Sequence, residues 1–301
     1  MIDEEGTLRR LAIIDEAIHA RGKVGEIFYV DGLAGDDAWH GKRYFRPLLT
    51  LTAALAQCVN DRNDYIIVLD YWSPGTEVWP VAVNKSMVHI IGLQFESVNW
   101  AVVVPAGDTP SFNVTAHYVE IANLEIGAGA TMGGIHVGSL AGVWGLNAHH
   151  CSFGWSHTTG QDGIRVPATF DAPYLTAYAC HFGPGLTRDG IRIENNATRG
   201  RLGVPGKPSN IFDKVPGIGI NVTGAATLEG IFDNRHILAA DVAGGAISFT
   251  NAGSHGALID GNRCALGKQA ADFLSNPYRD LGNNHWGVNW KQASAILPAV
   301  V

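Results

Sequence analysis

The sequence predicts an all-β protein in which one chain winds into a stack of short parallel strands, a β-solenoid. Three observations carry that prediction. A four-residue pattern, Gly-apolar-x-apolar, recurs as Gly134-Ile135-His136-Val137, Gly163-Ile164-Arg165-Val166, Gly190-Ile191-Arg192-Ile193 and Gly219-Ile220-Asn221-Val222, and more loosely as Ala246-Ile247-Ser248-Phe249, in steps of 29, 27, 29 and 27 residues. A repeat of that period carrying strand-type alternation marks stacked coils. Cys151-Ser152-Phe153 and Cys180-His181-Phe182 are also 29 residues apart, so each coil holds more than one strand. Asn234-Arg235-His236-Ile237 is echoed 28 residues on by Asn262-Arg263-Cys264-Ala265.

Alternation within each unit sends Ile164 and Val166 one way and Arg165 the other. Stacked in parallel, Ile135, Ile164, Ile191, Ile220 and Ile247 form an inner ladder. His136, Arg165, Arg192, Asn221 and Ser248 form an outer one. The 37 glycines suit coil corners, which need positive φ. Asn234 and Asn262 suit sharp turns, because asparagine tolerates left-handed φ and bonds its own backbone.

In chain order, residues 7–21 read as a short helix: Thr7 is the N-cap, Leu8, Leu11, Ile14 and Ile18 make one stripe, and Gly22 ends it. That stripe either seals a coil end or docks against another chain. Ile27 to Asp31 is a strand. A second helix spans 47–59, with Pro47 at its start and an apolar side of Leu48, Leu51, Ala54, Leu55 and Val59. It caps the solenoid, whose first coil would otherwise expose core and unpaired strand edges. Strands follow at 64–69, 81–83 and 88–91, and then the repeats begin. The tail from Asn276 leaves the repeat and ends in an apolar run, as a second cap or a subunit contact. The domains are therefore 1–26, a docking segment; 27–275, the solenoid; and 276–301, the closing segment.

Composition limits the function classes. Hydrophobic residues make up 46% and charged residues 16%, with eight tryptophans, so part of the surface is expected to meet another subunit. A formal charge of −7 without a basic run argues against a nucleic-acid surface. No apolar run is long enough to cross a membrane as a helix. The first residues show no secretory signal pattern, which is consistent with delivery inside an assembled particle. The four cysteines, Cys58, Cys151, Cys180 and Cys264, form no CxxC motif. They read as buried thiols, although Cys151 and Cys180 are stacked neighbours that a disulfide could bridge.

The segment Tyr29-Val30-Asp31, Gly35-Asp36-Asp37, Gly41 and Pro47 to Leu55, with Asp64 to Leu69 and the Pro74-Gly75 turn, resembles the opening of right-handed parallel β-helix proteins of the pectate-lyase-like superfamily. With the repeats, the likeness extends to about residue 270. It implies a right-handed parallel β-helix with an N-terminal capping helix. It implies no single activity, since the superfamily includes polysaccharide lyases, glycoside hydrolases, epimerases, phage tailspikes and noncatalytic virion proteins. The stretch His150-Cys151-Ser152-Phe153-Gly154-Trp155-Ser156 is similar to one in many pectate lyases, where an acidic residue before that histidine helps hold calcium. His149 occupies that place here. Calcium enters only through this likeness, and the expectation is otherwise of no cofactor and no metal site.

Two readings of the outer ladder stand side by side. Asp162 and Asp189 precede equivalent glycines of adjacent coils. Close carboxylates shift each other's pKa and can divide into an acid and a base, as in glycosidases. Arg165 and Arg192 could stabilise a carboxylated sugar or take its α proton in a lyase. If the protein is an enzyme, these four are its catalytic residues; otherwise Arg165, Arg192 and the nearby Arg188 neutralise the aspartates in a surface ion-pair ladder. Trp144, Trp155, His136 and His157 are the glycan-binding candidates. The preferred reading is a structural virion protein of a phage-like particle: a homotrimeric spike, fibre base or decoration that binds host-surface polysaccharide and meets other virion proteins through its N-terminal helix. The alternative is a polysaccharide lyase or glycoside hydrolase of the tailspike depolymerase type. Either places the protein on a virion or outside the cell.

Overall fold

The computed structural model describes residues 25–265 apart from 73–74, 94–100, 139–141, 156–157, 227, 238–245 and 251–257, with two-residue strands beyond at Leu274–Ser275, His285–Trp286 and Lys291–Gln292. The helix expected at 7–21 and the candidate His157 lie outside the described residues. The fold is the expected all-β parallel solenoid. Each coil contributes in turn to three sheets. Sheet A runs through nine strands from Ile27–Asp31 to Leu258–Asp260, and sheet B through nine from Ala101–Val103 to Lys291–Gln292. Sheet C runs through eight strands, from Val81–Val83 to Leu274–Ser275. Paired strands are parallel, except that His285–Trp286 meets Lys291–Gln292 antiparallel at the end of sheet B.

The register follows the sequence repeat. In sheet C, Ile135, Ile164, Ile191, Ile220 and Ile247 are successive partners, as are His136, Arg165, Arg192, Asn221 and Ser248. The five isoleucines are fully buried. Each contributes roughly 1.5–3 kcal/mol of apolar transfer. The outer ladder is less exposed than alternation implies, since Asn221 and Ser248 are buried too.

The repeat glycines have a different cause from the one expected. None of Gly134, Gly163, Gly190 and Gly219 has a left-handed φ. Each faces the inner aromatic ring of sheet B in its own coil: Phe153, Phe182, Phe212 and His236 respectively. Those rings stack on one another, with centroids 5.0, 4.6 and 4.6 Å apart and planes within 6°. A Cβ at Gly190 would stand 2.6 Å from Phe212, well inside carbon–carbon contact distance. The glycine is therefore the space that the ring occupies. In register with His236 one coil further on is Cys264, and that coil's repeat begins with Ala246.

Left-handed backbone is used at the corner between sheets A and B. Asn123, His150, Ala179, Gly203, Asp233 and Gly261 have φ between 50° and 85°. At Asp233-Asn234 and Gly261-Asn262 the positive φ belongs to the residue before the asparagine, which corrects the sequence-based reading. The asparagines form a buried ladder instead. Asn210 Nδ2 donates to Asn234 Oδ1 at 2.9 Å and to Ala177 O, and Asn234 Nδ2 donates to Asn262 Oδ1 at 2.8 Å and to Leu202 O. The amides of Asn210 and Asn234 thus bond strand carbonyls as well as one another, which satisfies buried polar groups at the corner. Cys151 and Cys180 occupy the same corner position in earlier coils as buried free thiols.

The capping helix, α1, is shorter than expected, covering Leu51–Gln57. Leu48 pairs with Val30 in a β-bridge and Val59 is exposed, so neither belongs to the helix face; Leu51, Ala54 and Leu55 do. Thr50, rather than Pro47, sets the start. Its Oγ1 accepts from Ala53 N at 3.0 Å and donates to Asp37 Oδ2 at 2.8 Å. Glu77, from a loop 26 residues away, accepts from Leu51 N at 2.7 Å, from Thr52 N, from Thr52 Oγ1 and from the Tyr71 hydroxyl. Two free backbone N–H groups of the first turn thus meet a buried carboxylate.

Candidate functional site

The outer face of sheet C gathers the four residues singled out as catalytic. The strand Asp162–Val166 lies beside Ile191–Ile193, which places Arg165 next to Arg192 and Asp162 next to Asp189. Two like pairs in register would repel, and the chain inserts opposite charges between them. Arg188 lies against Asp162, with Nε 2.9 Å from Oδ1, and also approaches Asp189 at 3.9 Å. Arg192 bridges Asp189 Oδ2 at 2.8 Å and Glu194 Oε1 at 2.6 Å. Arg165 forks onto Glu194 with contacts of 3.0 and 3.3 Å. Three guanidiniums and three carboxylates interleave, and their formal charges cancel.

The two aspartates are not at the surface. Asp162 is 0% and Asp189 2% exposed. Beyond its arginines, Asp189 accepts from Ile218 N at 2.8 Å and Asn221 Nδ2 at 2.9 Å, while Asp162 Oδ1 accepts from Asp189 N at 3.2 Å. Burial raises the Asp162 carboxyl above its ordinary value; Arg188 opposes that shift and Asp189 adds to it. Glu194 is depressed: burial pushes it up, but the hydrogen bonds and charges of Arg192 and Arg165 outweigh that. Arg188 is the neutralising charge that the sequence places near the two aspartates, whereas sequence reading missed Glu194. Glu194 lies two residues beyond the ladder position Arg192, and the excess of positive charge in the ladder itself was the available signal.

Among the described residues, the glycan-binding candidates do not share one surface. His136 stands in the outer ladder beside Arg165, half-buried, with its pKa lowered by burial and then by Arg165. Trp155 lies in the loop that enters sheet C, its ring 4.5 Å from that of His181. Trp144 lies in the loop that leaves sheet C and is 46% exposed.

A second polar cluster sits on the outer face of sheet A. Glu120 accepts from two imidazoles at once, His89 Nδ1 at 2.5 Å and His149 Nε2 at 2.7 Å. His149 Nδ1 meets His150 Nδ1 at 2.9 Å, and Tyr178 stacks on His149. Burial raises the Glu120 carboxyl, but the two histidine contacts outweigh it and hold the group well below the carboxylate range. The residues at the calcium-like position therefore do not fit a hard cation: both His149 nitrogens and both Glu120 oxygens are engaged with one another and with neighbouring rings. Among the described residues, no three His, Cys, Asp or Glu side chains are placed to hold a metal ion, and no helix is long and apolar enough to cross a membrane.

No protein-family model matches the sequence, and no curated protein matches it. Two solved structures match in fold. The crystal structure of native GH136 lacto-N-biosidase from Eubacterium ramulus is similar with a TM-score of 0.51 and 10% identity, over 92% of this chain and 61% of that one. Its selenomethionine derivative gives 0.48 and 12%, over 84% and 57%. This chain thus spans about three fifths of the lacto-N-biosidase. Identity at this level shows a shared parallel β-helix.

Proposed function

We propose that the chain is a noncatalytic, glycan-binding structural β-helix protein, carried as a homotrimeric spike, fibre base or decoration of a phage-like particle. One observation supports the noncatalytic part above all others: the two carboxylates placed for acid and base work are buried and each is bonded to a guanidinium. A general acid must give its proton to a substrate atom within hydrogen-bond reach. Asp162 and Asp189 instead direct their oxygens to Arg188, Arg192 and backbone N–H groups. The particle and trimer parts rest on composition and on the sequence of the N-terminal segment. The test is turnover of acidic and neutral polysaccharides by the wild type, with Asp162→Asn and Asp189→Asn as controls whose folding is checked by melting. Binding without product is expected. Product release by the wild type that either variant loses while still folded overturns the noncatalytic reading. Solution mass tests the trimer, and a 32.1 kDa monomer at micromolar concentration ends it.

A second reading, glycoside hydrolase, is favoured by the fold shared with a lacto-N-biosidase and by burial that shifts the Asp162 carboxyl upward, the direction a general acid needs. It requires Arg188 to swing away when substrate arrives.

A further inference from the structure

The loops leaving sheet C carry a strip of exposed rings that the sequence repeat does not explain. Tyr118, Trp144 and Tyr174 come from three successive coils and are 56%, 46% and 40% exposed. They are neighbours through the backbone, since Tyr118 N donates to Trp144 O at 2.6 Å and Gly145 N to Pro173 O at 2.9 Å. The Trp144 and Tyr174 rings lie 6.0 Å apart. Arg199 continues the strip into the next coil. Its guanidinium lies over the Tyr174 ring at 5.8 Å and donates from Nη1 to the Tyr174 hydroxyl at 2.9 Å.

The backbone beneath this strip is unusual. Tyr118, Tyr174 and Arg199 have φ of 55°, 60° and 57°. Bulky side chains rarely occupy that region, and glycine is the default there. Glycine does hold the corner in the intervening coil: Gly145 has φ 73°, and a Cβ on it would stand 2.7 Å from the Tyr118 ring. The missing Cβ thus lets the Tyr118 ring lie over the next coil. Strained positions that carry exposed rings are a pointer to function rather than to packing. Three half-exposed rings offer roughly 300 Å² together, too little for a protein partner, which needs about 800 Å² on each side. Sugar rings stack singly on such faces, and coils ~4.8 Å apart present them in a line. Glu229 bonds Arg201 and interacts with Arg199 only as a more distant charge, and no carboxylate among the described residues forms an ion pair with Arg199, which leaves its guanidinium able to bond an anionic group.

We infer that Tyr118, Trp144, Tyr174 and Arg199 form the docking strip for a linear glycan bearing carboxylates. The inference rests on the glycan-binding reading above and locates it away from the ion-paired face of sheet C. Titration calorimetry of the full chain with a uronate oligomer and a neutral glucan oligomer of equal length is the test. Trp144→Ala and Tyr174→Ala are each expected to weaken uronate binding about tenfold. Arg199→Gln should erase the preference for uronate, lowering the ratio of uronate to neutral-oligomer affinity to about one. Tyr118→Gly relieves the left-handed strain, so it should melt no lower than the wild type yet bind about tenfold more weakly; a purely structural ring would lower the melting temperature instead. If the wild type binds and the strip variants bind equally well, the strip is refuted while glycan binding stands. If the wild type binds neither oligomer, the underlying reading fails. Strip variants that change the mass of the assembly would identify a subunit contact and overturn the proposal.

Discussion

Alanine at the repeat glycines tests whether the ring stack dictates the sequence repeat. At Gly163 a Cβ would stand 2.6 Å from two Phe182 ring carbons and 2.8 Å from Gly190 O. At Gly190 the distances are 2.6 Å to Phe212 and 2.7 Å to Gly219 O. At Gly134 they relax to 3.1 Å from Phe153 and 3.0 Å from both Gly163 O and Ile126. Carbon atoms settle near 3.5–4.0 Å, so the first two sites must move a stacked ring and a strand carbonyl together. Overpacking of this kind costs about 1–3 kcal/mol, and the carbonyl places Gly163→Ala and Gly190→Ala at the upper end. The lower entropy of the unfolded alanine chain returns about 0.4–1 kcal/mol. The expected net losses are about 2–2.6 kcal/mol for Gly163→Ala and Gly190→Ala and about 1 kcal/mol or less for Gly134→Ala. Urea midpoints followed by tryptophan fluorescence read the order, provided the slope is unchanged. Combining Gly163→Ala with Phe182→Leu should recover on the order of 1 kcal/mol, because the two sites share one space. Three alanine variants within about 0.5 kcal/mol of wild type, or no coupling to the ring, would refute the argument.

Three further outcomes follow from buried polar groups. Glu77→Ala strands two helix N–H groups and the Tyr71 hydroxyl, and is expected to lower stability by about 3 kcal/mol by chemical denaturation. His236 is buried without a hydrogen-bond partner on either nitrogen, and burial lowers its pKa to about 3. Its folded pKa lies below the unfolded value, so only the unfolded chain gains a proton between about pH 6.5 and 3. Stability should therefore fall with decreasing pH through that window, by up to roughly 1.4 kcal/mol per pH unit. His236→Phe should flatten that part of a melting-temperature profile without disrupting the stack, since Phe212 already makes the equivalent contact with Gly190. Asn234→Ala breaks the asparagine ladder in its middle, removing the amide donor to Leu202 O and one of the two bonds of Asn210 Nδ2, which keeps Ala177 O, and should cost about 2 kcal/mol in the same denaturation assay.

The parallel register was legible because each coil near the middle of the chain returns after almost the same number of residues, so Ile164, Ile191 and Ile220 aligned by counting alone. What counting could not give was the reason for each residue. Gly163 reads as a turn glycine until Phe182 is seen against it, and that contact spans two sheets. Asn234 reads as a left-handed residue until its amide is seen bridging coils. The helix looked longer because Leu48 and Val59 extend its apolar stripe, although Leu48 is a strand-edge residue whose partner, Val30, lies 18 residues earlier. Glu77 was invisible for the same reason, since it acts across an irregular loop that no period describes. At the candidate site, the neighbours Asp162 with Asp189 and Arg165 with Arg192 followed from the register. Arg188 was legible as a neutralising charge, but the burial of the aspartates and the part played by Glu194 were not, because solvent access depends on the loops rather than on the strands. The strip at Tyr118, Trp144 and Tyr174 lies where coil lengths vary, and only Trp144 stood out in the sequence.

The central claim is that this β-helix holds glycan without cleaving it. The most direct measurement exposes the wild-type chain to acidic and neutral polysaccharides, following bound sugar and newly released ends in the same sample. Saturable binding with no new reducing ends and no unsaturated products is the predicted result. Steady product release that scales with protein concentration would contradict it.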